Sequence, residues 1–106
     1  MQVTVTAPYE SAYPDPVSFE RGEPVSLLGK IDEEYPGWTR VCDSEGREGW
    51  APEAIVVAGV ASERYTAREL SVGLGDRLTV HRELNGWMWA SDVLGSTGWI
   101  PAKLVQ

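Results

Sequence analysis

The 106-residue sequence predicts an all-β chain built as two small copies of one plan, each a barrel or sandwich of short strands. Three observations carry the prediction. The chain repeats itself: Gly37-Trp38 recurs as Gly86-Trp87, Gly49-Trp50-Ala51-Pro52 as Gly98-Trp99-Ile100-Pro101, and Val56 as Val105, all 49 residues apart. Apolar residues alternate with polar or small ones, which is the period of a half-buried strand. Gly and Pro recur every few residues and leave no window for a helix of ordinary length.

In chain order, Val3-Thr4-Val5-Thr6 is the first alternating segment, followed by a Pro-rich loop, Tyr13-Pro14-Asp15-Pro16. Ser18 to Glu23 precedes a second strand, Pro24-Val25-Ser26-Leu27, and recurs 53 residues later as Ser71 to Asp76. The first copy holds four extra residues between its third and fourth anchors, which reduces the offset from 53 to 49. Asp32-Glu33-Glu34 reads as a solvated turn, since it lacks the spaced oxygen ligands of a calcium loop. Asp43-Ser44-Glu45-Gly46 and Leu94-Gly95-Ser96-Thr97-Gly98 carry turn chemistry and predict hairpins. Val56-Val57-Ala58-Gly59-Val60 is a very short apolar link between the copies, unlike the polar spacers of independently tumbling domains. The expected domains are residues 1–57 and 58–106, packed rigidly together.

Composition narrows the function classes. With 42% hydrophobic and 24% charged residues, the chain can fold around a core and is not disordered. No apolar run approaches the ~18 residues of a spanning helix, and Met1 to Ala7 lacks the pattern of a signal peptide, so a cytoplasmic, non-membrane protein is expected. Cys42 is the sole cysteine and is expected to be inert packing. The net charge is −7 and lies wholly in residues 1–57, with eleven acidic against four basic residues. Such a surface repels phosphate, disfavouring nucleic acid and favouring a basic partner.

At the level of motifs the chain resembles the SH3 family, whose pattern runs from a Tyr-rich first strand through Glu-Leu-Ser-Phe-x-x-Gly-Asp and Gly-Trp-Trp to Gly-Tyr-x-Pro. Copy one offers Tyr9, Val17-Ser18-Phe19-Glu20-Arg21-Gly22-Glu23, Gly37-Trp38 and Gly49-Trp50-Ala51-Pro52. Copy two offers Tyr65, Glu69-Leu70-Ser71-Val72-Gly73-Leu74-Gly75-Asp76, Gly86-Trp87-Met88-Trp89-Ala90 and Gly98-Trp99-Ile100-Pro101. Copy one is most similar to the variant SH3 domains of bacterial proteins. The resemblance implies two SH3-like β-barrels in tandem, the second with a shortened loop because Tyr65 lies five residues before Leu70 whereas Tyr9 lies eight before Val17.

The resemblance also implies a non-enzymatic interaction module without cofactor or metal, in which an aromatic shelf and a proline grip an extended, proline-containing segment and acidic residues pair with its Arg or Lys. Tyr9, Trp38 and Pro52 fall at the shelf positions of copy one, with Asp15, Glu33 and Glu34 on flanking loops and Tyr13 available to replace a lost aromatic. Tyr65, Trp87 and Pro101 fall there in copy two. Two shelf tyrosines are replaced in each copy, by Ala7 and Ile55 and by Glu63 and Leu104, so weak binding is expected, centred on copy one. Alternation in copy two puts Trp87 and Trp89 on one face and Met88 and Ala90 on the other, and the resemblance implies that Ala90 faces the core, which turns both tryptophans outward as a ligand platform or a contact between copies. Trp50 and Trp99 are expected to be structural. The rival function is an assembly subunit that uses its tryptophan faces for protein contacts and has no free peptide ligand. Lone His81 offers no catalytic relay.

Overall fold

The computed structural model describes residues 1–12 and 14–106. Its strands are β1 (Gln2–Thr4), β2 (Ser18–Phe19), β3 (Ser26–Ile31), β4 (Trp38–Cys42), β5 (Glu48–Pro52), β6 (Val56–Val57) and β7 (Val60–Ala61). The rest are β8 (Tyr65–Thr66), β9 (Arg77–Leu84), β10 (Trp87–Ser91) and β11 (Thr97–Pro101), with single 3-10 turns at Glu53–Ile55 and Ala102–Leu104. The all-β reading therefore stands.

The expected closed barrels do not. The strands form four separate open sheets, ordered β1-β9-β10-β11, β2-β8, β3-β4-β5 and β6-β7, and the end strands of each larger sheet do not pair with one another. The expected linker is not a spacer either. Val56 pairs with Ala61 and Val57 with Val60, and the two residues between them, Ala58 at φ 52° and Gly59 at φ 77°, supply the left-handed turn that such a tight hairpin needs. The second turn of the pair of longer hairpins also falls earlier than expected. Asp92 caps it by accepting from the N–H groups of Leu94 and Ser96, and β11 begins at Thr97.

Contacts divide the chain into two compact units, one formed by Met1–Pro14 with Arg68–Gln106, the other by Asp15–Ala67. We call them the split unit and the central unit. The repeats divide at 57/58, inside the β6-β7 hairpin, whereas the contacts divide at 14/15 and 67/68.

Hydrogen bonding shows how this arises. In the split unit, Val5 N–H donates to Asp76 O and Gly75 N–H to Val5 O, each at 2.9 Å. In the central unit, Ala61 N–H donates to Glu23 O at 2.9 Å and Gly22 N–H to Ala61 O at 2.8 Å. These are the same bonds at equivalent positions of the repeat, so the first strand of each sequence copy serves the other copy's body.

The split unit closes around Val3, Val5, Leu70, Val72, Leu78, Met88, Ala90 and Ile100, all buried. Burying a valine stabilises by about 1.5–3 kcal/mol, so Val3 and Val5 anchor the N-terminal strand firmly. In β10 the alternation is as expected, with Met88 and Ala90 buried and Trp87 and Trp89 half-buried. The central unit buries Val17, Phe19, Val25, Trp38, Val41, Ala51, Ile55, Ala61 and Tyr65.

Candidate functional site

Each unit gathers aromatic side chains around the proline of its Gly-Trp-x-Pro segment. In the central unit Trp38 stands opposite Pro52 in the β4-β5 ladder. Tyr65 lies beside it, its ring 6.5 Å from Trp38 and 5.4 Å from Phe19, and its hydroxyl donates to Trp50 O at 2.8 Å. Trp38 is 4% exposed, Tyr65 is 8% exposed and Pro52 is fully buried. These groups behave as core: a shelf whose aromatics are this deeply buried offers a ligand little surface. Trp50 is only half-buried, with the Arg40 guanidinium 5.6 Å from its ring.

In the split unit Trp87 stands opposite Pro101 in the β10-β11 ladder, and Tyr9 meets Trp87 edge to face, with centroids 6.1 Å apart and ring planes at 79°. Edge-to-face pairs are favoured by the ring quadrupole. Both rings are half-buried, while Pro101 is buried. Tyr9 is held by two backbone bonds with Val72, its N–H donating at 3.0 Å and its carbonyl accepting at 2.8 Å, and by its hydroxyl, which donates to Glu69 Oε2 at 2.7 Å. Glu69 Oε1 accepts from Ala12 N–H at 3.0 Å. On the Tyr9 side, away from Trp87, lies a shallow pocket formed by Pro8, Tyr9, Glu10, Ser71 and Val72. Further along β10, Trp89 packs edge to face against Trp99 at 5.4 Å. Trp99 is 6% exposed, consistent with a structural role.

The structure therefore distributes the site residues read from the sequence across both units. Tyr9 belongs to the split unit with Trp87, Trp89 and Pro101, while Trp38, Pro52 and Tyr65 belong to the central unit with Asp15, Glu33 and Glu34. Tyr13 lies outside the described residues. Asp15 is exposed and lies 3.6 Å from the Arg47 guanidinium. Glu33 and Glu34 are exposed in a turn that Asp32 organises by accepting from the N–H groups of Glu34 and Tyr35. Pro8 and Val72 also line the pocket; the sequence marks Val72 only as a position of the repeated motif and gives no signal for Pro8, because the Tyr9-Val72 pairing that brings them together is long-range.

One carboxylate is strongly engaged without belonging to this site. Asp43 accepts from Ser18 N–H at 3.1 Å, from the N–H groups of Glu45 and Arg47 at 3.0 Å, and from Arg47 Nε at 2.7 Å. Burial pushes its carboxyl up, but the bonds from Ser18, Arg47 and Glu45 outweigh it and hold the group below the usual carboxylate range. The hydrogen bond to Asp43, with the charges of Asp43, Glu45 and Asp15, raises Arg47.

Short antiparallel strands, a Gly-Trp-x-Pro segment in each unit and an aromatic pair beside a buried proline define an interaction module of SH3 type. Residues 4–58 match the variant SH3 domain family, and the chain belongs to it. Its function is accordingly protein interaction and not catalysis. The match spans one domain, so the expected tandem pair is not part of it, and it assigns the chain neither to bacteria nor to the cytoplasm. No curated protein and no solved structure matches the chain. Among the described residues no helix is long and apolar enough to cross a membrane.

Proposed function

We propose that the protein binds an extended, proline-containing segment of a partner protein across the Tyr9-Trp87 face of the split unit. The observation that carries this reading is the contrast in burial: Tyr9 and Trp87 are half-buried beside Pro101, and Tyr9 also lines a shallow pocket, whereas Trp38, Tyr65 and Pro52 are packed away. The polyproline helix is already extended in solution and loses little entropy on docking against such a shelf. Exposed Glu10 beside Tyr9 favours a basic residue on the ligand, while Glu69 is occupied in holding Tyr9 and Ala12.

With one aromatic pair as the main apolar surface, affinity falls in the micromolar to millimolar range, since each buried aromatic beyond this adds only about 1–3 kcal/mol. The test is an NMR titration with Arg- and Lys-flanked proline-rich peptides at low and high salt. Shifts at the Trp87 indole that weaken with salt are expected, together with shifts at Tyr9 and Val72 that disappear in Trp87→Ala. No shift at millimolar peptide removes this reading and favours the assembly-subunit role.

A further inference from the structure

The two units differ at one equivalent edge. In the split unit β1 continues past the shared Val5 bonds and pairs Thr4 with Arg77, Val3 with Leu78 and Gln2 with Thr79. Met1 O then accepts from Val80 N–H at 2.7 Å. In the central unit the strand equivalent to β1 turns away at Ala58 and Gly59. The final bond on that side is Val25 N–H to Gly59 O at 2.9 Å. Leu27, the counterpart of Val80, comes next, and from there β3 has β4 on one side and, among the described residues, no strand on the other.

Every residue of β3 is exposed, including Leu27 at 57%, Leu28 at 42% and Ile31 at 69%, whereas Val80 is partly buried against the core of its unit. An open edge carrying large apolar residues is a ready template for another strand. Natural edges are commonly protected by charge or by bulges, and here both fall in one stretch, with Lys30 in a bulge between Leu27 and Ile31 that Gly29 permits at φ 77°, leaving Leu27 and Ile31 exposed on either side of it.

We propose that this β3 edge binds an extended segment of a partner protein by antiparallel strand addition, the segment alternating apolar and polar residues and bearing Lys or Arg at its ends. The chain itself shows what the equivalent edge accepts, since β1 and its continuation to Val5 alternate apolar Val3 and Val5 with Gln2 and Thr4. Charge selects the ends. Residues 15–67 hold eleven acidic and five basic residues, a net −6, with Glu20 and Glu23 preceding β3 and Asp32, Glu33 and Glu34 following it. A second copy of the chain would set −6 against −6 at this edge, which repels, whereas a basic-ended strand is attracted. This edge lies in the central unit and is independent of the Tyr9-Trp87 reading.

The test uses the full chain and the synthetic peptide Lys-Lys-Val-Thr-Val-Thr-Val-Lys-Lys. Only one edge of an added strand bonds to β3, so two derivatives are made, N-methylated at the valines or at the threonines. Strand addition requires that one derivative lose binding by about tenfold or more while the other keeps it, and that the bound peptide slow exchange of the Leu27 amide by at least about tenfold. Saturation with a proline-rich peptide leaves that protection unchanged, so failure here and failure of the groove reading are separate results. The proposal is overturned if both derivatives bind as the parent does, if no protection appears at Leu27, or if shifts concentrate at Trp87. Self-association of the chain with contacts between two β3 strands would also overturn it, in favour of a second copy.

Discussion

Residues 58–106, the second sequence copy, should be far less stable alone than within the full chain. Excising them removes β1, and with it Val3 at 8% and Val5 at 1% exposure from the core around Leu78 and Ile100. The fragment does carry its own first strand, so the fair comparison lets that strand replace β1. By the shared hydrogen bonds Ala61 then occupies the place of Val5, and Gly59 that of Val3. The substitution deletes five buried methyl or methylene equivalents, worth about 4 kcal/mol at ~0.8 kcal/mol each. For a small domain this lowers the midpoint by roughly 15–30 °C, close to the whole stability of a chain of this size. The assay is thermal melting by circular dichroism of 58–106, 15–67 and the full chain, with a peptide of residues 1–14 added to 68–106. Cooperative melting of 15–67 and rescue of 68–106 by the peptide are expected. Melting of 58–106 alone at the temperature of the full chain would refute the exchange of first strands.

Burial also orders the tryptophans: Trp38→Ala and Trp99→Ala should each cost about 3–5 kcal/mol and Trp50→Ala clearly less, measured as urea midpoints. Asp43 gives a pH signature: because its folded carboxyl is held below its unfolded value, its contribution is fully present above about pH 4 and is lost as pH falls through the folded value, and Asp43→Asn should flatten that part of the stability profile. Gly98→Ala should be worse than Gly49→Ala, since a Cβ at Gly98 lies 2.7 Å from the backbone of Glu69 and Leu70, whereas at Gly49 it meets the Val17 side chain at 2.8 Å; differential scanning calorimetry of both variants decides the order.

What could be read from the chain, and what could not, follows from the range of the signals. Alternation over Trp87 to Ala90, the Asp43 turn and the burial of Trp99 are local properties, set by period and turn chemistry, and they hold in the structure. The partner of each first strand is a long-range choice. Val3-Thr4-Val5 and Val60-Ala61 are both extended and apolar, and both make the same bonds at equivalent positions, so nothing in either segment says which body it joins. Barrel closure failed as an expectation for the same reason, because it depends on which end strands meet. By the resemblance, Trp38 belongs on the ligand shelf of copy one. It does lie on the face of β4 opposite Val41, but Tyr65 covers that face, and Tyr65 arrives from the other sequence copy.

This exchange bears on how the proposed binding face can be isolated. The family match covers residues 4–58, which contains Tyr9 but neither Trp87 nor Pro101, and the second copy contains Trp87 and Pro101 but not Tyr9. A fragment cut at the repeat boundary, 1–57, also lacks Ala61, Tyr65 and Thr66, so it loses the partner of β2 and the ring that lies over Trp38. Trp38 would then become accessible and adopt the shelf position it lacks in the intact chain. We expect 1–57 to bind a proline-rich peptide at least about tenfold more weakly than the full chain, because its aromatics are neither paired nor held by Val72 and Glu69. Isothermal calorimetry on 1–57, 58–106 and the full chain measures this directly. Full affinity in 1–57, lost in its Trp38→Ala variant, would show that the groove belongs to the first sequence copy after all and that the Tyr9-Trp87 face is not the site.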